Sequence, residues 1–182
     1  GKSSHYEVTF LRKDGQRVYT IISGTPIMDP QGNYVSSFGV VTDITERKDS
    51  EEKLQTSEAR YRQLIENMNE GFITADAQQR LTYTNQQFAN MLGYNAEDLV
   101  GRYVNDLVDF PSRKTLAEQK ELRLKSSARY EMTFIRKDGK SIHAMISGTP
   151  ILNEHGEFQG GFAVITDITE RKTMEDALRQ SE

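Results

Sequence analysis

The chain has 182 residues, 36% hydrophobic and 27% charged, with a net charge of −4 and no cysteine. That length suits one domain of roughly 100–150 residues plus additional material. The composition excludes disulfides, thiolate metal sites and cysteine nucleophiles, and the acidic balance disfavours a nucleic-acid partner.

The first recognisable segment is half of a repeat. Residues 6–48 (YEVTFLRKDGQRVYTIISGTPIMDPQGNYVSSFGVVTDITERK) recur as residues 130–172 with 24 of 43 positions identical at an offset of 124. A repeat of that length is domain-scale. Only the second copy is preceded by a further domain's worth of residues, so the chain reads as a window on a longer array. Each copy predicts a three-stranded antiparallel meander. In the second, alternating segments at Tyr130–Phe134 and Ile142–Ile146 are separated by the turn Lys137-Asp-Gly139, and Asn153-Glu-His-Gly156 turns into Phe158–Thr166. Both copies end in TDITERK, where Asp167 or Thr169 is expected to cap a helix start, with Glu170 at capping-box spacing from Asp167.

Residues 46–60 are charged and free of Gly and Pro, which predicts a helical connector and not a flexible linker. Leu54, Tyr61 and Met68 recur at seven, with Leu64 and Ile65 between them. This apolar seam either packs on its own domain or pairs with a second chain. Strands follow at Gly71–Asp76 and Arg80–Thr84, and then a helix capped by Asn85 and stopped at Gly93. Short apolar segments lie around Leu99 and Val104–Val108, and a helix from Pro111 to about Lys125 leads into the second meander. Gly160-Gly161, inside a strand pattern, reads as a bend or a close backbone approach. After the second meander, Met174 and Leu178 share one face of an exit helix.

No apolar run approaches the roughly 20 residues of a membrane span, so no direct membrane insertion is expected. No nucleophile elbow, phosphate loop or HExxH word appears, and none of His5, His143 and His155 has zinc-like spacing to further ligands. The fragment is therefore not expected to be an enzyme or to hold a metal.

Several words in order resemble the PAS sensor domain with its C-terminal PAC segment. They are Tyr61-Arg-Gln-Leu-Ile-Glu-Asn67, Asn85 with Phe88 and Leu92-Gly93-Tyr94, Asp98-Leu-Val-Gly101, Arg136-Lys-Asp-Gly139, Gly148-Thr-Pro-Ile151 and Thr166-Asp-Ile-Thr-Glu-Arg-Lys172. The resemblance covers residues 58–172. It implies an α+β fold, a five-stranded antiparallel sheet with helices on one face, flanked by connector helices. It divides the chain into residues 1–45, the C-terminal part of a preceding PAS domain; 46–60, a connector; 61–169, a complete PAS domain; and 170–182, the start of an exit helix, with Ser181-Glu182 matching Ser57-Glu58 of the connector. The first meander would then need cover for its apolar face, from another chain or by exchange with the second.

Such domains sense or relay in signal-transduction proteins, upstream of an output module such as a histidine kinase or diguanylate cyclase. The resemblance implies a cytoplasmic module, a homodimer through connector helices (Leu54, Tyr61, Leu64, Ile65, Met68, Met174 and Leu178) and the outer sheet face, and a downstream output domain in the same chain. A spacer and dimerisation module with a filled core is the competing reading.

By the same resemblance Tyr130, Met132, Phe134, Ala144, Ile146, Ala163 and Ile165 point inward, and His143, Met145, Phe162 and Val164 outward. Light-sensing flavin members carry a reactive cysteine where Val104 stands, and amide side chains where Phe134, Ala144 and Ile165 stand. Haem-binding members use a histidine on the helix before the meander, and residues 76–128 contain none. No flavin or haem is expected. Phe88, Met91, Leu107, Met132, Phe134, Ala144, Ile146 and Ile165 then form either a packed core or a pocket for a small apolar ligand. At the handover to the exit helix the resemblance assigns Asp167 to pair with Arg171, Ile168 to anchor in the core and Thr169 to cap, with Asp43, Ile44 and Thr45 as the matching set in the first copy.

Overall fold

A computed structural model describes residues 4–123 and 127–180. The expected helix end at Lys125 and the Ser181-Glu182 match lie outside them. The chain divides into two compact units between Tyr61 and Arg62.

In the first unit β1 (Ser4–Leu11), β2 (Arg17–Met28) and β3 (Tyr34–Asp43) form an antiparallel sheet in chain order. The register sets Tyr6 opposite Ile22 and Ile22 opposite Val41, so the three share a face. That face is open: Tyr6 is 60% and Val41 58% exposed, and every residue of β3 is exposed. Helix α1 (Thr45–Glu66) follows. Connector and entry segment are thus one helix, because nothing between Glu46 and Arg62 breaks it. It stops at Glu66, which leaves Met68 beyond the helix and ends the seven-residue seam at Tyr61.

The second unit has the expected order. β4 (Gly71–Asp76) and β5 (Leu81–Thr84) precede α2 (Gln86–Leu92), α3 (Ala96–Leu99), a 3-10 turn at Val104–Leu107 and α4 (Phe110–Arg123). β6 (Ala128–Ile135), β7 (Ser141–Leu152) and β8 (Phe158–Asp167) complete the sheet, followed by α5 (Thr169–Arg179). The antiparallel strand order is β5-β4-β8-β7-β6. Alternation decides the faces: Tyr130, Met132, Phe134, Ile142, Ala144, Ile146, Ala163 and Ile165 are buried, while His143, Met145 and Val164 are half-buried and Phe162 is exposed. Phe88 and Leu92 of α2, Leu99 of α3, Leu107 of the 3-10 turn and Leu116 of α4 close the core from one side.

Gly160 shows why the β8 pattern is broken by two glycines. Its φ is 143°, and a Cβ there would lie 2.3 Å from the Ala75 carbonyl oxygen; one on Gly161 would lie 2.7 Å from that of Thr149. The central strand must approach both neighbours this closely, which only glycine permits.

Candidate functional site

Between sheet and helices lies a cavity of about 50 Å³, lined by Ile73, Val104, Leu116, Met132, Phe134, Ile146, Ala163 and Ile165, with Asp76, Gln79 and Thr149 as its polar part. Of the eight residues expected around a pocket, Met132, Phe134, Ile146 and Ile165 line it. Phe88, Leu107 and Ala144 are buried in the core without lining it, and Met91 packs against the core half-buried. Phe88 instead supports the wall, with its ring edge-on to Phe134 at 5.5 Å between centroids. The lining from β4 and the Asp76–Arg80 turn escaped sequence reasoning, because strand parity speaks for the meander and not for a turn that folds over it. Gln79 carried one signal only after folding: its φ of 64° is the left-handed conformation.

The volume sets a limit. An apolar cavity that admits benzene measures about 150 Å³. At about 50 Å³, this one accommodates only a few heavy atoms.

A second constellation joins α1 to the core. Asn85 is fully buried, and all its side-chain capacity is used: Oδ1 accepts from Phe72 N (2.8 Å) and Phe88 N (3.0 Å), while Nδ2 donates to Ile65 O and Glu70 O (3.0 Å each). The expected cap of α2 is therefore also the tie to the last turn of α1. Glu66 adds to the tie, accepting from Gln86 N and from the Tyr83 hydroxyl. Burial, then the Glu66 hydrogen bond, push the Tyr83 phenol up to about 12.

The third constellation is the handover from sheet to exit helix. Ile168 is buried, as is Ile44 in the first unit. Thr169 does not cap α5, whose N-cap Ile168 makes no side-chain cap bond. Its hydroxyl instead accepts from His143 N at 3.0 Å and donates to His143 O at 3.4 Å, while Asp167 Oδ1 accepts from Thr169 N at 2.8 Å. Asp167 does not pair with Arg171 either, for its carboxylate is turned to the Thr169 backbone. Arg171 reaches Glu131 (3.2 Å) and Glu175 (3.7 Å), and Lys172 reaches Glu131 at 2.6 Å. The Lys172 hydrogen bond is the main influence holding the Glu131 carboxyl below its ordinary range. The sequence signal for this clamp was present: Glu131 and Lys172 recur at the repeat offset as Glu7 and Lys48.

The first unit repeats the threonine bonds and the glutamate–lysine pair. Thr45 Oγ1 accepts from Tyr19 N (2.9 Å) and donates to Tyr19 O (3.5 Å), Asp43 Oδ1 accepts from Thr45 N (2.9 Å), and Lys48 reaches Glu7 at 3.0 Å. The Thr45 hydrogen bonds hold the Asp43 carboxyl below its ordinary range.

The helix residues expected to pair show a common feature. Leu54, Tyr61, Leu64, Met174 and Leu178 are 58–68% exposed, whereas Ile65 and Met68 are half-buried. Among the described residues no His, Asp and Glu group is arranged to hold a metal, and no helix is long and apolar enough to cross a membrane.

A family model described as "PAS domain" matches residues 1–46 and 69–170. Sensor histidine kinase TmoS of Ectopseudomonas mendocina is 31% identical over 131 residues, a match covering 70% of this chain and 13% of that protein. The C4-dicarboxylate transport sensor protein DctS of Rhodobacter capsulatus is 29% identical over 134 residues, covering 69% of this chain and 20% of that protein. The chain thus spans a fifth or less of these two relatives. Among solved structures, the PAS domain of an HTR-like protein from Haloarcula marismortui superposes with a TM-score of 0.58 at 23% identity, covering 66% of this chain and 99% of that one. That likeness shows the fold.

Proposed function

Because the chain belongs to the PAS domain family, we propose that it is a sensor and relay module of a signalling protein, handing a change in the sheet to the exit helix through Asp167, Ile168 and Thr169. The observation that carries this reading is the repetition of the handover: the same threonine-to-strand bonds and the same glutamate-to-lysine clamp stand at the start of α1 and of α5. Two separate segments with 19 differences in 43 positions keep this one connection unchanged.

In the same reading the first sheet is the C-terminal part of a preceding PAS domain, which makes the chain part of a tandem. Its open face carries Tyr6, Phe10 and Ile22 where Tyr130, Phe134 and Ile146 are buried in the complete copy. The exposed Leu54, Tyr61, Leu64, Met174 and Leu178 are suited to pairing with a second copy of the chain, and the relatives' names favour a histidine kinase as the output domain, with the module on the cytoplasmic side. No flavin, haem or metal is proposed: the cavity is too small for the first two and is walled mainly by aliphatic and aromatic groups.

The small cavity favours a second reading, a spacer that transmits change from its neighbours without a ligand of its own. One experiment tests the handover that both readings share. Asp167→Ala in the full-length protein should alter output with the domain still folded. Unchanged output would remove the junction from the mechanism under both readings.

A further inference from the structure

The two handovers differ at one chemically telling place. Where the first unit has Tyr19, the second has His143, and both residues receive the helix-start threonine on their backbone. The His143 ring lies on the outer face, half-buried, with Nδ1 3.2 Å from the Thr133 hydroxyl. It lines a cleft with Asp109, Glu131, Thr133 and Lys172. The corresponding cleft in the first unit is lined by Glu7, Thr9, Tyr19 and Lys48. Both clefts hold the glutamate–lysine pair, with Arg171 as an additional partner of Glu131 in the second, but only the second places an imidazole, a side chain able to take up a proton, beside it.

The charged groups that share the cleft with the ring are Glu131 on β6, Lys172 on α5 and Asp109 before α4; beside it Arg171 is bonded to Glu131, and Asp167 at the end of β8 is turned to the Thr169 backbone. Across the boundary between sheet and exit helix, the helix side presents two cations and the sheet side the Glu131 carboxylate that binds them. Adding a proton to His143 adds positive charge to the sheet side. Whatever partners the imidazolium then chooses, the attraction between the sheet and Arg171 and Lys172 falls. The first turn of α5 is held to the sheet by these ion pairs and by the Thr169 bonds to His143, so its exchange protection reports that docking.

We propose that His143 is a proton-operated release on the exit helix: neutral, it leaves Glu131 to clamp α5 through Lys172 and Arg171; protonated, it loosens the first turn of α5 from β6 and β7. The first unit, with Tyr19, has no such release. This device concerns docking of the helix and stands apart from the relay reading.

The test is hydrogen exchange on the whole chain, with protection factors corrected for the intrinsic rate at each pH. Between pH 8 and 5.5, the amides of Lys172 to Glu175 should lose protection roughly two- to five-fold, the range set by exposed ion pairs, while the amides following Lys48 should not change. His143→Tyr should abolish the pH dependence; if that variant fails to fold, His143→Gln serves the same purpose. His143→Lys should show the reduced protection already at pH 8. A flat profile in the native chain, a pH dependence that survives both neutral substitutions, or full protection in His143→Lys would each overturn the proposal.

Discussion

Thr169 and His143 are bonded reciprocally: one hydroxyl accepts from the backbone N–H of His143 and donates to its carbonyl, so the first residue of the exit helix occupies a place in the sheet's hydrogen-bond pattern. Thr45 and Tyr19 repeat the relationship. The helix cannot turn about its axis at this end without breaking bonds to β7, which is the physical content of a relay.

Thr169→Val keeps the shape of the side chain and removes both bonds. Loss of a part-buried hydrogen-bonded hydroxyl should cost about 1–2 kcal/mol, small enough for the domain to stay folded. Urea denaturation with an unchanged m-value would check this; a much larger loss would mean that the hydroxyl holds the sheet itself.

Asn85→Ala should be far more damaging. It removes the partner of the Phe72 and Phe88 N–H groups and of the Ile65 and Glu70 carbonyls around a fully buried site, for an expected loss of about 3 kcal/mol. Asn85→Asp keeps the two accepted bonds but cannot donate to Ile65 and Glu70, so it should detach the end of α1 preferentially. Calorimetry for the first variant and hydrogen exchange at residues 65–72 for the second provide the measurements.

Alkaline pH probes the same junction. The Tyr83 phenol is raised from 10 to about 12 in the folded state, so the protonated form is favoured by folding. The contribution is complete below about pH 10 and is lost as pH rises toward 12. Phenylalanine at position 83 should flatten that limb of the stability profile. At the other end, Glu131 is held below its ordinary range, so its contribution is present above about pH 4.5 and lost as pH falls; Glu131→Gln should remove that part of the acid limb.

The helices and strands were legible because local signals agreed: Asn85 and Gly93 bracket α2, and parity on β6 to β8 sorts inward from outward residues. The boundary between β8 and α5 lies where the TDITERK word places it, but the bonds there differ from those expected. Helix-start rules treat a threonine as a cap for its own helix, and no local rule knows that β7 runs beside Thr169, 26 residues away in sequence. The same limit applies to Arg171, which reaches Glu131, 40 residues back in sequence, and not the nearby Asp167. The cavity was half legible, since its meander wall follows parity while Asp76 and Gln79 reach it through a turn.

Ala163→Val separates sensing from spacing. The added methyls enter the cavity beside Ile165, and the change in stability should stay within about 1–3 kcal/mol. A sensor would lose its response to stimulus; a spacer would keep it.

The central claim is that the strand-to-helix junction carries the signal, and it is tested most directly by the output activity of the full-length protein bearing Thr169→Val beside Thr169→Ser, each with its melting temperature. Thr169→Ser retains the hydroxyl and should retain regulated output, whereas Thr169→Val should uncouple output from stimulus while the domain remains folded. Equal, normally regulated output from both folded variants would contradict the account.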